Sequence, residues 1–229
     1  MNELTPRRAT ALSIGLGFVA GYVDTVGFVA LFGLFTAHVT GNFVLIGAAL
    51  AHSSGEVKLK LLVFPAFIVS VALTRLVVLW LERRNRPALR PLLLLQLILL
   101  GCFAVAGWRA LPLTDSDSQL AVLAGLLGAA AMGVQNAAAR LVLGNLAPTT
   151  VMTGNVTQLV IDAVDLLRGA GDAATRQRIG KFIGPIVSFS IGAMGGGLGY
   201  IYLGFAALAL PMLVLLALCF SGPPVGAPQ

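Results

Sequence analysis

Eight apolar stretches follow one another along this chain, at about 12–34, 36–51, 61–81, 91–108, 120–143, 148–161, 182–199 and 201–220, with short polar joints between them. Several approach or exceed the ~20 residues that a helix needs to cross a bilayer. Charged residues make up only 10% of the sequence, against roughly one-quarter in soluble domains, and the mean hydropathy is +0.93. The expected class is therefore an all-α integral membrane protein. A chain of 229 residues leaves little room for a separate soluble module, so residues 1–229 are read as one membrane domain.

A polar motif interrupts this apolar background twice. Thr40-Gly41-Asn42 returns 113 positions later as Thr153-Gly154-Asn155, and Thr36 has an identical counterpart in Thr149 at the same offset. Upstream, each copy carries a strongly polar residue inside an apolar segment, Asp24 in the first and Asn136 in the second. Gly41 and Gly154 supply points where a helix can begin or break, and Pro148 makes an uninterrupted helix through its region unfavourable. A polar, helix-breaking motif repeated in two halves is a mark of transporters built by duplication, although a shared packing motif would repeat in the same way.

Loop charges fix the expected geometry. Arg7 and Arg8 precede the first apolar run, and Arg83, Arg84, Arg86 and Arg90 crowd one turn. Both places belong on the cytoplasmic side by the positive-inside rule. Three full crossings between them would put them on opposite sides. Re-entrant or half-length elements at the Thr-Gly-Asn motifs remove the conflict. The expectation is two inverted repeats, 12–109 and 120–220, with about six transmembrane helices plus two re-entrant or half-length helices. Ten basic residues then lie inside (Arg7, Arg8, Arg83, Arg84, Arg86, Arg90, Arg168, Arg176, Arg178, Lys181) and three outside (Lys58, Lys60, Arg109). Pro65 and Pro185, at the related offset of 120, are expected near the starts of corresponding helices. Irregular backbone at membrane depth must be protein-buried or line a wet cavity, so the two breaks are expected to meet in a central polar site.

The candidate substrate-binding residues are Asp24, Thr40, Gly41, Asn42, Gln135, Asn136, Thr153, Gly154 and Asn155. An unpaired carboxylate at a helix centre costs ~2.5–3.5 kcal/mol on insertion scales, so Asp24 is expected to carry proton coupling or to bond across the repeat interface, with Thr40 or Asn136 as partner. Gln135 and Asn136 offer donors and acceptors to a solute or a carboxylate. The half-helix N-termini after each glycine favour an anion or carbonyl oxygen, and simple capping by Thr and Asn is the competing explanation. His38 is a proton-relay candidate with Asp24, weighed against a hydrogen-bonded structural histidine. Arg140 is expected to reach the cytoplasmic surface, and Asp162 and Asp165 to mark emergence into water. Gly192, Gly195, Gly196, Gly197 and Gly199 form a small-residue face for close packing, within the chain or in a homodimer.

Other classes find little support. Cys102 and Cys219 are isolated in apolar segments and read as small core residues. The only histidines are His38 and His52, with no metal-ligand spacing, and there is no phosphate loop or nucleophile elbow. No enzyme activity, metal or cofactor is expected. The pI of about 10 comes from basic residues in short loops, which favours membrane orientation over nucleic-acid binding.

Gly21-Tyr22-Val23-Asp24, Phe35-Thr36-Ala37-His38-Val39-Thr40-Gly41-Asn42, Gly133-Val134-Gln135-Asn136-Ala137 and Thr149-Thr150-Val151-Met152-Thr153-Gly154-Asn155 closely resemble the YoaK-like family of bacterial integral membrane proteins, a domain of unknown function. The resemblance implies a multi-pass protein of the bacterial inner membrane and singles out Asp24, Asn136 and the two Thr-Gly-Asn motifs. The leading expectation is a secondary transporter of a small polar or anionic solute, proton-coupled through Asp24. A non-transporting scaffold or sensor, or a channel, are the alternatives. The expected partners are a small-molecule solute and the lipid bilayer.

Overall fold

The computed structural model describes residues 5–51 and 57–221, so His52 lies outside the described part. All regular structure among the described residues is helical: α1 (Pro6–Ala30), α2 (Gly41–Ala51), α3 (Val57–Arg83), α4 (Leu89–Arg109), α5 (Gln119–Leu141), α6 (Met152–Leu167), α7 (Ala173–Leu203), a 3-10 turn (Gly204–Leu208) and α8 (Ala209–Phe220). Local chemistry starts several of them. The Thr5 hydroxyl accepts from the Arg8 N–H with Pro6 at the first helical position, and Ser118 accepts from the Ala121 N–H. Asp172 and Thr175 form a reciprocal capping box for α7. The Thr175 backbone N–H, and then its hydroxyl, hold the Asp172 carboxyl below the usual carboxylate range.

Five stretches are long and apolar enough to cross a bilayer: α1, α3, α4, α5 and residues 173–220. The last is not straight. After α7 the chain turns at Gly204 (φ 56°) and doubles back. A side chain at Gly199 would meet Tyr22 and Ala207, whereas Leu218 packs where a Cβ at Gly15 would stand. The 3-10 turn and α8 therefore return along α1 over about 28 Å, from rises of ~2.0 and ~1.5 Å per residue.

Two helix pairs run parallel in close contact. On α1 and α7, Gly17 faces Pro185 and Ser188, Gly21 faces Phe189, and Gly196 faces Tyr22. On α3 and α5, Leu59 and Val63 face Gly125, and Ser70 faces Gly133 while its hydroxyl donates to the Ala130 carbonyl (2.6 Å). Away from these seams the helices expose apolar side chains, such as Val69, Leu73 and Leu76 on α3 and Val187, Ile191, Met194 and Leu198 on α7. Asp24, Gln96 and Gln135 are buried instead. Apolar outside and polar inside is the arrangement a hydrocarbon solvent selects.

The bundle has two distinct ends. At one, Ala9 and Thr10 of α1 share a cavity wall with Ala174 and Gln177 of α7, and Arg90 of α4 stacks over the Phe220 ring of α8 (5.0 Å). The Arg83–Arg90 turn and the α6–α7 loop lie at this basic end. At the other, Lys58 pairs with Asp117 of the α4–α5 connector (3.5 Å), and Lys60 donates to the Phe32 carbonyl after α1 (2.7 Å).

Two sequence expectations need correction here. α3 and α7 begin at Val57 and Ala173, well before their apolar runs, so Pro65 and Pro185 lie inside the helices and not near their starts. The Asp172–Thr175 box nucleates α7 about two turns ahead of the membrane segment. Cys219 is buried as expected, but Cys102 is exposed on the apolar surface.

The glycine face on α7 is used within the chain. A Cβ on Gly21, Gly192 or Gly196 would overlap the carbonyl oxygens of Phe189, Phe18 and Tyr22 respectively, and backbone cannot yield as a flexible side chain can. Gly21→Val and Gly196→Val are each expected to lower unfolding stability by roughly 1–3 kcal/mol or more. Gly180→Ala, where a Cβ meets nothing within 4 Å, should leave it unchanged or slightly raised; thermal unfolding of the detergent-solubilised protein checks the set.

Candidate functional site

The first break is a chain reversal held by one carboxylate. α1 continues past Asp24 to Ala30, Phe32 (φ 53°) and Gly33 (φ 73°) turn the chain, and residues 35–40 return as irregular backbone beside Asp24 before α2 begins. Asp24 Oδ1 accepts from the backbone N–H groups of Thr36 (2.8 Å), Ala37 (2.6 Å) and His38 (3.5 Å) and from the Thr36 hydroxyl (3.3 Å). Its Oδ2 lies 2.6 Å from His38 Nδ1. The expected partners were Thr40 or Asn136. The three successive amides win because they have no other acceptor inside the apolar bundle.

Asn42 closes the same loop from the other side. Its amide Oδ1 accepts from the Phe35 N–H (2.9 Å), and its Nδ2 donates to the Phe35 carbonyl (2.8 Å). Asn42 thus reproduces a backbone pairing seven residues upstream.

The second break follows the same plan with neutral groups. α5 continues past Asn136 to Leu141, and α6 begins at Met152. Asn136 Oδ1 accepts from the Thr150 hydroxyl (2.7 Å), and Asn155 Nδ2 donates to the Pro148 carbonyl (2.7 Å), again seven residues upstream. Pro148 has no N–H, so the second bond that Phe35 gives Asn42 has no equivalent. Gln135 makes the deeper links. Its amide nitrogen, Nε2, donates to the Leu16 carbonyl of α1 (2.8 Å) and to Thr149 Oγ1 (3.0 Å), and its Oε1 accepts from Gln96 Nε2 of α4 (2.7 Å).

These contacts set α1 and α5 antiparallel: Leu16 meets Gln135, while Gly27 and Gly128 both pack on the Thr36 side chain. Asp24 and Leu16 are eight residues apart on α1, a separation of about 12 Å at ~1.5 Å per residue. The two polar knots are therefore distinct, one nearer each end, and no hydrogen bond joins them among the described residues. They do not merge in the single central site expected from the sequence. The reason is geometric: each return loop bonds to the helix that precedes it, and those helices point opposite ways.

The expected site residues divide accordingly. Asp24, Asn42, Gln135 and Asn155 are buried, Asn136 and His38 are half-buried, and Gly41 lies beneath the Phe35 ring. Thr40, Thr153 and Gly154 are exposed. Arg140 is exposed in the last turn of α5 at the basic end, and Asp165 is half-buried. Asp162 does not mark emergence into water. It is buried between α6 and α7, where Arg178 clamps both its oxygens (2.8 and 3.1 Å) and Gln158 donates a third bond (3.0 Å). Paired on a helix face, the aspartate holds α6 to α7.

Sequence reasoning passed over Gln96 and Lys60. Gln96 is the lone polar residue in its apolar run, which is a usable signal; the burial of Lys60 had none. A cavity of about 510 Å³ also opens at the basic end between α1, the α5–α6 connector and α7, lined in part by Ser13, Asn145, Arg178 and Lys181. Among the described residues no group of three or more His, Cys, Asp or Glu is placed to hold a metal ion.

Residues 12–221 match the family described as "Protein of unknown function (DUF1275)". The chain belongs to this family. It is also 33% identical over 156 residues to the UPF0700 transmembrane protein YoaK of Bacillus subtilis (strain 168), covering 68% of this chain and 67% of that protein. No solved structure is similar. The conclusion these comparisons and the apolar helices carry is a multi-pass membrane protein of a family without an assigned activity.

The knots give two graded tests. Asp24→Ala leaves three loop amides without an acceptor and is expected to cost roughly 3 kcal/mol or more, whereas Asp24→Asn keeps one oxygen facing them and should cost about 1 kcal/mol. Asn42→Ala should destabilise more than Asn155→Ala, by about 1 kcal/mol, because only Asn42 makes the second backbone bond. Unfolding temperatures of purified variants compare each pair.

Proposed function

We propose that the protein is a small secondary transporter of the bacterial inner membrane, built as two inverted repeats and carrying a small polar or anionic solute. The observation that carries the proposal is the antiparallel placement of α1 and α5, each followed by a buried polar break and a half-length helix, α2 or α6. Exchanging the halves also exchanges the close helix pairs, α1 with α7 for α5 with α3. Broken helices at corresponding places in inverted halves are the geometry through which transporters alternate access. In this reading the basic end faces the cytoplasm, with the N-terminus and ten of the basic residues. The sixth crossing is the 3-10 turn with α8. Alternating access would rock the α1–α7 pair against the α3–α5 pair.

Asp24 and His38 are the proposed proton-coupling pair. A carboxylate oxygen and an imidazole nitrogen 2.6 Å apart share one proton, and the half-exposed His38 ring is the member that can exchange it. Asn42, Gln135, Asn136 and Asn155 would then orient the solute as partners exchange.

One observation favours a second reading. Asp24, Asn42, Gln135 and Asn155 already find partners within the protein, as they would in a non-transporting scaffold or sensor. Proteoliposome uptake across a solute panel separates the two. The transporter reading expects uptake by the wild type and at least tenfold less, or loss of proton dependence, in Asp24→Asn. A folded wild type that takes up nothing, with Asp24→Asn lowering only thermal stability, favours the scaffold. Topology is checked independently with single cysteines at Lys58 and Arg176 in a cysteine-free background. An impermeant thiol reagent should reach them from opposite sides, and labelling from one side sinks the inverted arrangement.

A further inference from the structure

We propose that the cavity at the basic end is a binding site for an oxyanion, a phosphate or carboxylate group, received by the Lys181 ammonium and the Ser13 hydroxyl. The site is separate from both polar knots, and it rests on the transporter reading only for naming its face cytoplasmic.

The cavity's volume of about 510 Å³ suits a small solute or a headgroup. Its polar walls are Thr10 and Ser13 of α1, Asn145 of the α5–α6 connector, and Gln177, Arg178 and Lys181 of α7. Most of these have different standing. Arg178 is committed to Asp162, and Thr10 donates to the Pro6 carbonyl. Ser13 is only 6% exposed, yet among the described residues its hydroxyl has no hydrogen-bond partner. Its hydroxyl is reached from the cavity it lines, and offers there a donor that no acceptor among the described residues takes. Lys181 likewise has no ion pair among the described residues. With the Arg178–Asp162 pair neutral, the lining carries one uncompensated positive charge.

The other half shows what fills the equivalent space. Pro65 and Pro185 correspond at an offset of 120, which aligns Lys60 with the neighbourhood of Lys181, and Phe32 aligns with Asn145 at the offset of 113. In the first half Lys60 is 4% exposed and its ammonium sits on the Phe32 carbonyl at 2.7 Å. In the second half Lys181 is exposed, and no hydrogen bond joins it to Asn145 among the described residues. A lysine seated on a turn closes one end; at the other the lysine and the turn flank an open cavity. An oxyanion there would accept from Lys181 and Ser13 together.

The anion has two sources, a free solute or a phospholipid headgroup at the membrane surface. The test uses the full chain in neutral detergent and in nanodiscs of phosphatidylcholine alone or with phosphatidylglycerol. Inorganic phosphate and acetate are titrated at constant ionic strength against chloride, with thermal unfolding as readout. Variants are Lys181→Gln, Ser13→Ala and Gly180→Leu; Gly180 lines the cavity, and a Cβ there meets nothing within 4 Å. The expected result is stabilisation by phosphate or acetate that is at least tenfold weaker in Lys181→Gln and abolished in Gly180→Leu. If free anion is the source, phosphate stabilises equally in phosphatidylcholine alone. If a headgroup is the source, phosphatidylglycerol stabilises through Lys181 and phosphate competes with it. No Lys181-dependent effect of phosphate, acetate or phosphatidylglycerol overturns the site, whatever uptake assays show. Binding without uptake leaves the site standing and removes the transporter reading instead.

Discussion

A helix that stops inside hydrocarbon leaves amides facing nothing, and the structure is organised around the acceptors that meet them. In the first half four consecutive residues, Phe35 to His38, present N–H groups at the break. Asn42 takes the first, and Asp24 takes the other three. This explains why a carboxylate is retained at such depth: no neutral side chain offers the same density of acceptor lone pairs. In the second half proline stands in the place of Phe35, so one donor is gone, and the chain manages with the neutral Asn136–Thr150 bond and a single contact from Asn155. The donor lost to proline is the one that Asn42 accepts in the first half, which is why Asn155 makes a single contact.

Satisfying the breaks in this way dictates the helix packing around them. Each return loop occupies space beside its own preceding helix, so the crossing helix from the other half must approach where that helix has no side chain. Gly21, three residues before Asp24, meets the Phe189 carbonyl of α7; Gly133, three before Asn136, meets Ser70 and the Phe67 carbonyl of α3. The glycine is set by the approach of backbone to backbone, and the polar residue one turn on by the loop. Sequence spacing couples the two requirements, and the same spacing appears in both halves.

Much of this was legible in the sequence. Apolar runs fixed the all-helical membrane class, and Thr-Gly-Asn located the starts of α2 and α6 to within a residue or two. Asn42 and Asn155 were legible as polar but not as the residues that close the loops, because a cap and a solute ligand use the same amide. The partners of Asp24 were not legible. They are backbone groups, which every residue carries, so no side-chain pattern announces them. The Asp162–Arg178 pair was missed for a related reason: its members lie sixteen residues apart across a loop, and two charges near a helix end resemble a solvated terminus until α7 folds back. The early start of α7 was hidden because its first turns are amphipathic and charged, unlike the apolar run that marked the helix.

The long α7 touches both the Asp24 knot and the cavity at the basic end. Near its middle, the Phe189 ring stands edge-on to His38 (5.7 Å) and its carbonyl rests against Gly21, so α7 touches the Asp24 knot directly. Two turns earlier it carries Lys181 and Arg178 at the cavity. Between these places lies Pro185, whose missing N–H leaves the carbonyl of Lys181 without its helical donor. A helix deprived of one internal bond bends there more readily than elsewhere. The glycine seam from Gly192 onward fixes the upper part of α7 to α1, while below Pro185 the helix is held by the Asp162–Arg178 clamp to α6. Movement of α6 relative to α1 would thus be taken up at Pro185. Such a bend would shift Lys181 against Ser13, and the Gly21 and His38 contacts lie on the other side of it.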